Sequence, residues 1–297
     1  MSQTFALSGA RVGFTIAAAL IEILLPLALA LAARRRLGVR WRYFGYGALI
    51  FLLFQLLTRV PLVQILQAQL APQLSASRGL LIGWIVILSL TAGLAEEIGR
   101  YVGYRWLMKR DDKTWEKAIM YGLGHGGLES MLLVAGLTLL GLINLLALSA
   151  SNLDTLPISP EQRTQLQQQL AAVAAQPEWL PLAGAWERLW AISFHVAMSV
   201  VVLQVFRRGR MIWLWLAVAA HALLDFLGAG LPTVLGLQGN AALLTSEAIV
   251  TVAGLISLWA IWALRDRPEP IGVPIGAPAP DDLAPGAEAS PPAPDEL

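Results

Sequence analysis

The chain reads as an all-α, polytopic integral membrane protein with about seven transmembrane helices, its N-terminus outside and its C-terminus cytoplasmic. Three observations lead there. Of its 297 residues 57% are hydrophobic and only 14% charged, against about 25% charged in an ordinary soluble domain. The apolar residues come in runs of about twenty or more, the length a helix needs to cross the hydrocarbon layer. The basic residues gather in every second loop between those runs, the bias that marks cytoplasmic loops. The formal net charge of +1 hides this pattern. The stretch 266–297 holds seven acidic residues and one arginine, which leaves 1–265 with twenty basic against thirteen acidic.

Taken in order, the spans fall at 9–33, 43–67, 80–108, 117–149, 186–206, 211–229 and 241–264. The first is followed by ARRRLGVRWR rather than a small-residue cleavage site, so it reads as a retained helix and not a removed signal. Its basic cluster (Arg34, Arg35, Arg36, Arg40, Arg42) is matched by Lys109, Arg110, Lys113 and Lys117 after the third span. Arg207, Arg208 and Arg210 follow the fifth, and Arg265 and Arg267 the seventh. The alternate loops are poor in basic residues: 68–79 has Arg78 and 150–185 has Arg163. Trp41, Trp106, Trp115, Trp186 and Trp213 lie near span ends, as interfacial anchors do. Within 150–185, Ser159 is an expected N-cap with Pro160 at the first helical position, so a short external helix is expected there. The organisation is therefore a membrane domain, 1–265, with a catalytic-type core at about 80–230, and a Pro/Ala-rich cytoplasmic tail, 266–297, whose composition predicts disorder. With no cysteine, disulfides, thiol nucleophiles and thiolate metal sites are excluded.

Ionisable groups inside such spans cost at least about 2.5–3.5 kcal/mol each, so each calls for an explanation. The third span carries AEEIGR. Counted from its basic end, Arg100 lies about 12 Å deep, Glu97 about 16 Å and Glu96 about 18 Å. Arg100 can reach either carboxylate along the helix, but the two glutamates point about 100° apart and cannot face one point equally. The three histidines occupy three further spans, His125 at about 12 Å, His195 at about 17 Å and His221 at about 16 Å. His125 has Glu129 four residues on, and His221 has Asp225, spacings that put each pair on one helical face. Three imidazoles and a carboxylate suit zinc, and a neighbouring glutamate could take the proton of a water molecule. Other buried charges have blander readings. Glu22 and Arg59 are expected to pair with each other or with neighbouring groups, and Glu187 and Glu247, near external span ends where hydration is cheap, are given no role.

EEIGR, a helix with His and Glu four apart, an isolated histidine in FHVAMS and then HALLD follow the motif order of the YhfC-type intramembrane metalloproteases, which the chain resembles over about 90–230. That family sits in a broad group with the CAAX prenyl endopeptidases, the bacteriocin-processing membrane proteases and the PrsW-type proteases. The resemblance implies that Glu96 and Glu97 are the double-glutamate motif, Arg100 its basic partner, and His125, His195 and His221 with Asp225 the later motifs. Two residues separate Glu97 from Arg100, where prenyl endopeptidases commonly have three, so prenylated substrates are not implied.

The expectation is an integral, metal-dependent endopeptidase of the cell membrane, hydrolysing a peptide bond in or near the bilayer. Glu96 or Glu97 is the base and Arg100 sets charge and orientation. His125, His195, His221 and Asp225 are metal-ligand candidates for Zn2+, and Glu129 supports them. The expected partners are a membrane protein or peptide substrate and the lipid bilayer, with no nucleic acid. Two rivals use the same residues: a proton- or cation-coupled transporter, and a non-catalytic scaffold in which the polar cluster only assembles helices. A transporter requires polar groups along a path open to both sides, whereas these lie in the expected cytoplasmic half.

Overall fold

A computed structural model describes residues 7–266; residues 1–6 and 267–297, with most of the tail expected to be disordered, lie outside the described part. Among the described residues seven helices are long and apolar enough to cross a membrane: α1 (Gly9–Leu37), α2 (Arg42–Ala76), α3 (Arg78–Trp106), α4 (Trp115–Ala150), α6 (Pro181–Arg208), α7 (Ile212–Leu235) and α8 (Gly239–Ala263). The shorter α5 (Pro160–Ala175) lies between α4 and α6. No strand occurs among the described residues.

The helix ends follow local chemistry. Ser8 caps α1 by accepting from the Arg11 amide, and Gly38 closes it at φ 67, a left-handed conformation that a side chain would strain. Gly209 ends α6 in the same way. Ser159 and Gln162 form a reciprocal capping box at the start of α5, with Pro160 in the first turn, as the sequence predicts.

Helix α6 is the central post. Most of its span is buried, whereas the other spans keep most of theirs on the outside, where leucines, isoleucines and tryptophans such as Trp262 face outward. Helices α1, α4, α7 and α8 pack around α6, α2 packs on α4, and α3 on α7. Glycines permit these approaches. A Cβ at Gly124 would stand 1.9 Å from the Phe44 carbonyl oxygen, and one at Gly47 would stand 1.9 Å from that of Tyr121, so α2 and α4 touch backbone to backbone. The apolar core (Tyr43, Ile50, Tyr104, Tyr121, Val200, Leu203) fills the end of the bundle nearer the basic loops.

Three of the spans widen into π-helical turns: Leu52–Arg59 in α2, Glu129–Val134 in α4 and Phe226–Gly230 in α7. Two of them run directly into prolines, Pro61 and Pro232. Proline lacks an N–H and crowds the carbonyl four residues back, and a wider turn accommodates both defects. This is why α2 continues to Ala76, beyond the 43–67 expected from hydropathy.

Candidate functional site

The sequence-predicted groups meet in one buried cluster. Glu96 is 4% exposed, and Glu97, Arg100 and His125 are 0% exposed. Glu96 Oε2 lies at the centre, 3.0 Å from His125 Nε2, 3.7 Å from His195 Nδ1, 3.7 Å from His221 Nε2 and 3.9 Å from Arg100 Nη2. Four helices, α3, α4, α6 and α7, each contribute at least one of these groups.

Glu97, one residue later and turned away, belongs to a supporting ring. Arg100 Nη1 donates to Glu97 Oε1, and the same oxygen accepts from His221 Nδ1 at 2.7 Å. Arg100 Nη2 lies 2.7 Å from His195 Nδ1. A guanidinium can only donate, so Nδ1 accepts and the proton of a neutral His195 sits on Nε2. That nitrogen lies 2.5 Å from Glu129 Oε2. Glu129 in turn accepts from Arg188 at 3.0 Å, and Arg188 also donates to Glu187. The contacts run unbroken from His221 through Glu97, Arg100, His195, Glu129 and Arg188 to Glu187, and Glu96 and His125 sit inside that arc.

A cavity of about 510 Å³ opens on one side of the cluster. Glu96, Glu129, His195 and His221 line it, as do Gln55 and Arg59 from α2; Glu97, Arg100 and His125 do not. The two adjacent glutamates are thus distinguished: Glu96 faces the cavity and Glu97 is sealed behind it.

Several expectations change in detail. Glu129, one turn after His125 on α4, meets His195 of α6 rather than the His125 ring. Asp225 keeps the expected face of α7 but is 38% exposed and 3.9 Å from His221 Nε2, at the rim of the cluster. Glu22 and Arg59 do not pair with each other. Arg59 donates to the Leu88 carbonyl at 2.5 Å and to Thr91 at 3.2 Å, while Glu22 is buried elsewhere, beside Gly184. Glu187 and Glu247, read as span-end groups, both line the cavity. Sequence reasoning missed Arg188 and Gln55. Arg188 stands only two residues inside the expected start of its span, so hydropathy treats it as interfacial, and Gln55 is uncharged, so an inventory of ionisable groups passes over it.

The donor set fits a metal ion. Glu96, His125 and His195 offer buried ligand atoms all within 4.8 Å of one another, and His221 Nε2 approaches the same Glu96 oxygen. His221 has the support usual for a metal-bound imidazole, its other nitrogen held by the Glu97 carboxylate. Arg100 caps His195 Nδ1, so that nitrogen reaches an ion only by exchanging its guanidinium bond.

Residues 21–251 match the family model described as YhfC intramembrane metalloprotease. The chain is 31% identical over 252 residues to a Bacillus subtilis (strain 168) protein named uncharacterized membrane protein YhfC, an alignment covering 82% of this chain and 93% of that one. No solved structure matches it.

Proposed function

This integral membrane protein belongs to the YhfC intramembrane metalloprotease family, and from that premise we propose that it hydrolyses peptide bonds of membrane-embedded substrates by glutamate-activated water. The observation that carries the reading is the convergence of three imidazoles on the Glu96 carboxylate at the wall of a cavity inside an apolar bundle. The basic loops support the orientation of the reading, N-terminus outside and C-terminus cytoplasmic, and the reading takes the cell membrane as its location.

In this reading His125, His195 and His221 hold a zinc ion, which when bound polarises the scissile carbonyl and acidifies water. Glu96, the glutamate that reaches the cavity, takes a proton from the attacking water. The water oxygen bonds to the carbonyl carbon, the C–N bond breaks, and Glu96 returns the proton to the departing nitrogen, leaving a carboxylic acid and an amine. Glu97 holds the His221 ring from behind. Arg100 offsets the negative charge of Glu97 and holds His195 Nδ1 by a bond that an ion on that nitrogen would displace. Glu129 steadies the other face of His195. Asp225, at the rim, is placed to meet substrate rather than to close the metal site.

The test combines metal content with cleavage. Chain purified in detergent should hold about one zinc per molecule, lost in His125→Ala and His221→Ala and kept in Glu96→Gln. Wild type should cleave quenched transmembrane peptides and Glu96→Gln should not. A folded double variant, Glu96→Gln with Glu97→Gln, that still cleaves would sink the proposal.

A further inference from the structure

The α2 wall of the cavity carries two groups that hydrolysis leaves without work. Gln55 is 7% exposed, and its Oε1 is buried with no hydrogen-bond partner. Arg59, four residues on, uses Nε and Nη2 on Thr91 and the Leu88 carbonyl. Arg100 and Arg188 both pair with carboxylates, but no carboxylate comes within ion-pair distance of Arg59 among the described residues. Both Gln55 and Arg59 open onto the cavity. A cation without a direct ion pair and an unmatched amide oxygen inside an apolar span are costly, and a ligand that supplies an anion and an N–H relieves both.

Their placement sets a distance. Phe51, four residues before Gln55, packs its ring edge-on against His125, with centroids 5.2 Å apart. Phe51, Gln55 and Arg59 therefore lead away from the reaction centre along α2, and because Leu52–Arg59 is π-helical the axial distance from Phe51 to Arg59 is less than the about 12 Å of a regular α-helix. An extended peptide advances about 3.3 Å per residue, so a chain with its scissile bond at Glu96 reaches Arg59 within about four residues.

We propose that Gln55 and Arg59 form a substrate anchor for a peptide carboxylate within about four residues of the scissile bond, with Arg59 binding the carboxylate and Gln55 Oε1 accepting a backbone N–H. The anchor rests on the hydrolytic reading of the same cavity. A lipid phosphate would satisfy Arg59 but has no N–H for the amide oxygen, whereas a peptide opened for cleavage exposes backbone N–H groups that need acceptors inside a bilayer. The cavity's other acids, Glu129 and Glu187 beside Arg188, Asp225 from α7 and Glu247 from α8, confine the anion to the α2 wall.

The test reads binding, not turnover, in the full-length Glu96→Gln protein in detergent. Labelled Leu/Ala peptides, amidated at the C-terminus, carry a single Glu or Gln walked along the chain; a further peptide without Glu ends in a free carboxylate. At one register the Glu peptide, or the free-acid peptide, should bind about tenfold more tightly than its neutral counterpart, the scale of a charge-assisted hydrogen bond. Preference for internal Glu assigns the carboxylate to a side chain, and preference for the free acid assigns it to the C-terminus. Arg59→Lys should keep the preference, Arg59→Gln should erase it, and Arg59→Glu should transfer it to a Lys peptide. Gln55→Leu should weaken Glu and Gln peptides alike. Equal binding of Glu and Gln peptides, survival of the preference in Arg59→Gln, or loss of the preference when phosphatidylglycerol is added would overturn the anchor. Carboxylate-dependent binding by a wild-type chain that cleaves nothing overturns the hydrolytic reading instead, so the two failures are distinct.

Discussion

Glu96 and Glu97 differ by one position and about 100° of helical rotation, and that rotation separates their surroundings. Glu96 touches the cavity and three imidazoles; Glu97 touches Arg100 and His221 and is wholly buried. Glu96→Gln is expected to lower peptide cleavage by at least about 10²-fold, the usual share of a general base, with little change in unfolding midpoint. Glu97→Gln leaves Arg100 as a less compensated buried cation, so its first effect should be a lower midpoint in denaturant titration, with residual cleavage. A larger stability loss in Glu96→Gln than in Glu97→Gln would contradict this division. Arg188 is the other residue on which the cluster depends. Arg188→Met leaves Glu129 without its cation beside His195, and breaking a buried pair in this way costs about 3–5 kcal/mol. Reversible unfolding in mixed micelles would measure it. Arg188 was not legible in the sequence as a site residue, because its partner Glu129 lies on another helix 59 positions away.

At the scale of elements, α2 and α4 form the tightest pairing. Gly47 and Gly124 lie against each other's helix backbones, where no flexible side chain can move aside. Gly124→Ala is expected to force the helices apart and cost more than the about 1–3 kcal/mol typical of overpacking, because the obstacle is a carbonyl. Gly136→Ala on the same helix meets open space and serves as the control, with an unchanged midpoint expected. Since Gly124 precedes His125, the strained variant should lose metal along with stability. The π-helical turns belong to this scale too. Each carries or adjoins cavity residues: Gln55 and Arg59, Glu129, and Asp225. Prolines 61 and 232 signal irregularity in the sequence, but a π turn without proline, as at Glu129, has no such mark.

For the whole molecule, the absence of cysteine makes topology directly measurable. Single cysteines at Ser151 or Gln176 should react with a membrane-impermeant maleimide on intact cells, while those at Asp112 or Gly209 should react only after permeabilisation. The reverse pattern would invert the orientation inferred from the basic loops. The same orientation predicts that the cavity draws its substrate from within the bilayer, because the basic-loop end is closed by the core of Tyr104, Tyr121 and Leu203.

Hydropathy and charge alone determined that the chain is helical, that seven segments can span, and that Glu96, His125, His195 and His221 share one depth, because burial in hydrocarbon leaves a one-dimensional record of apolar length and costly polar exceptions. That record has no azimuth. Which glutamate faces the cavity, which imidazole Glu129 touches, that no carboxylate among the described residues lies within ion-pair distance of Arg59 and that Arg188 closes the ion network were decided only by the rotation of each helix about its axis. Those rotations come from glycine contacts, π turns and packing around α6, interactions between residues far apart in the chain.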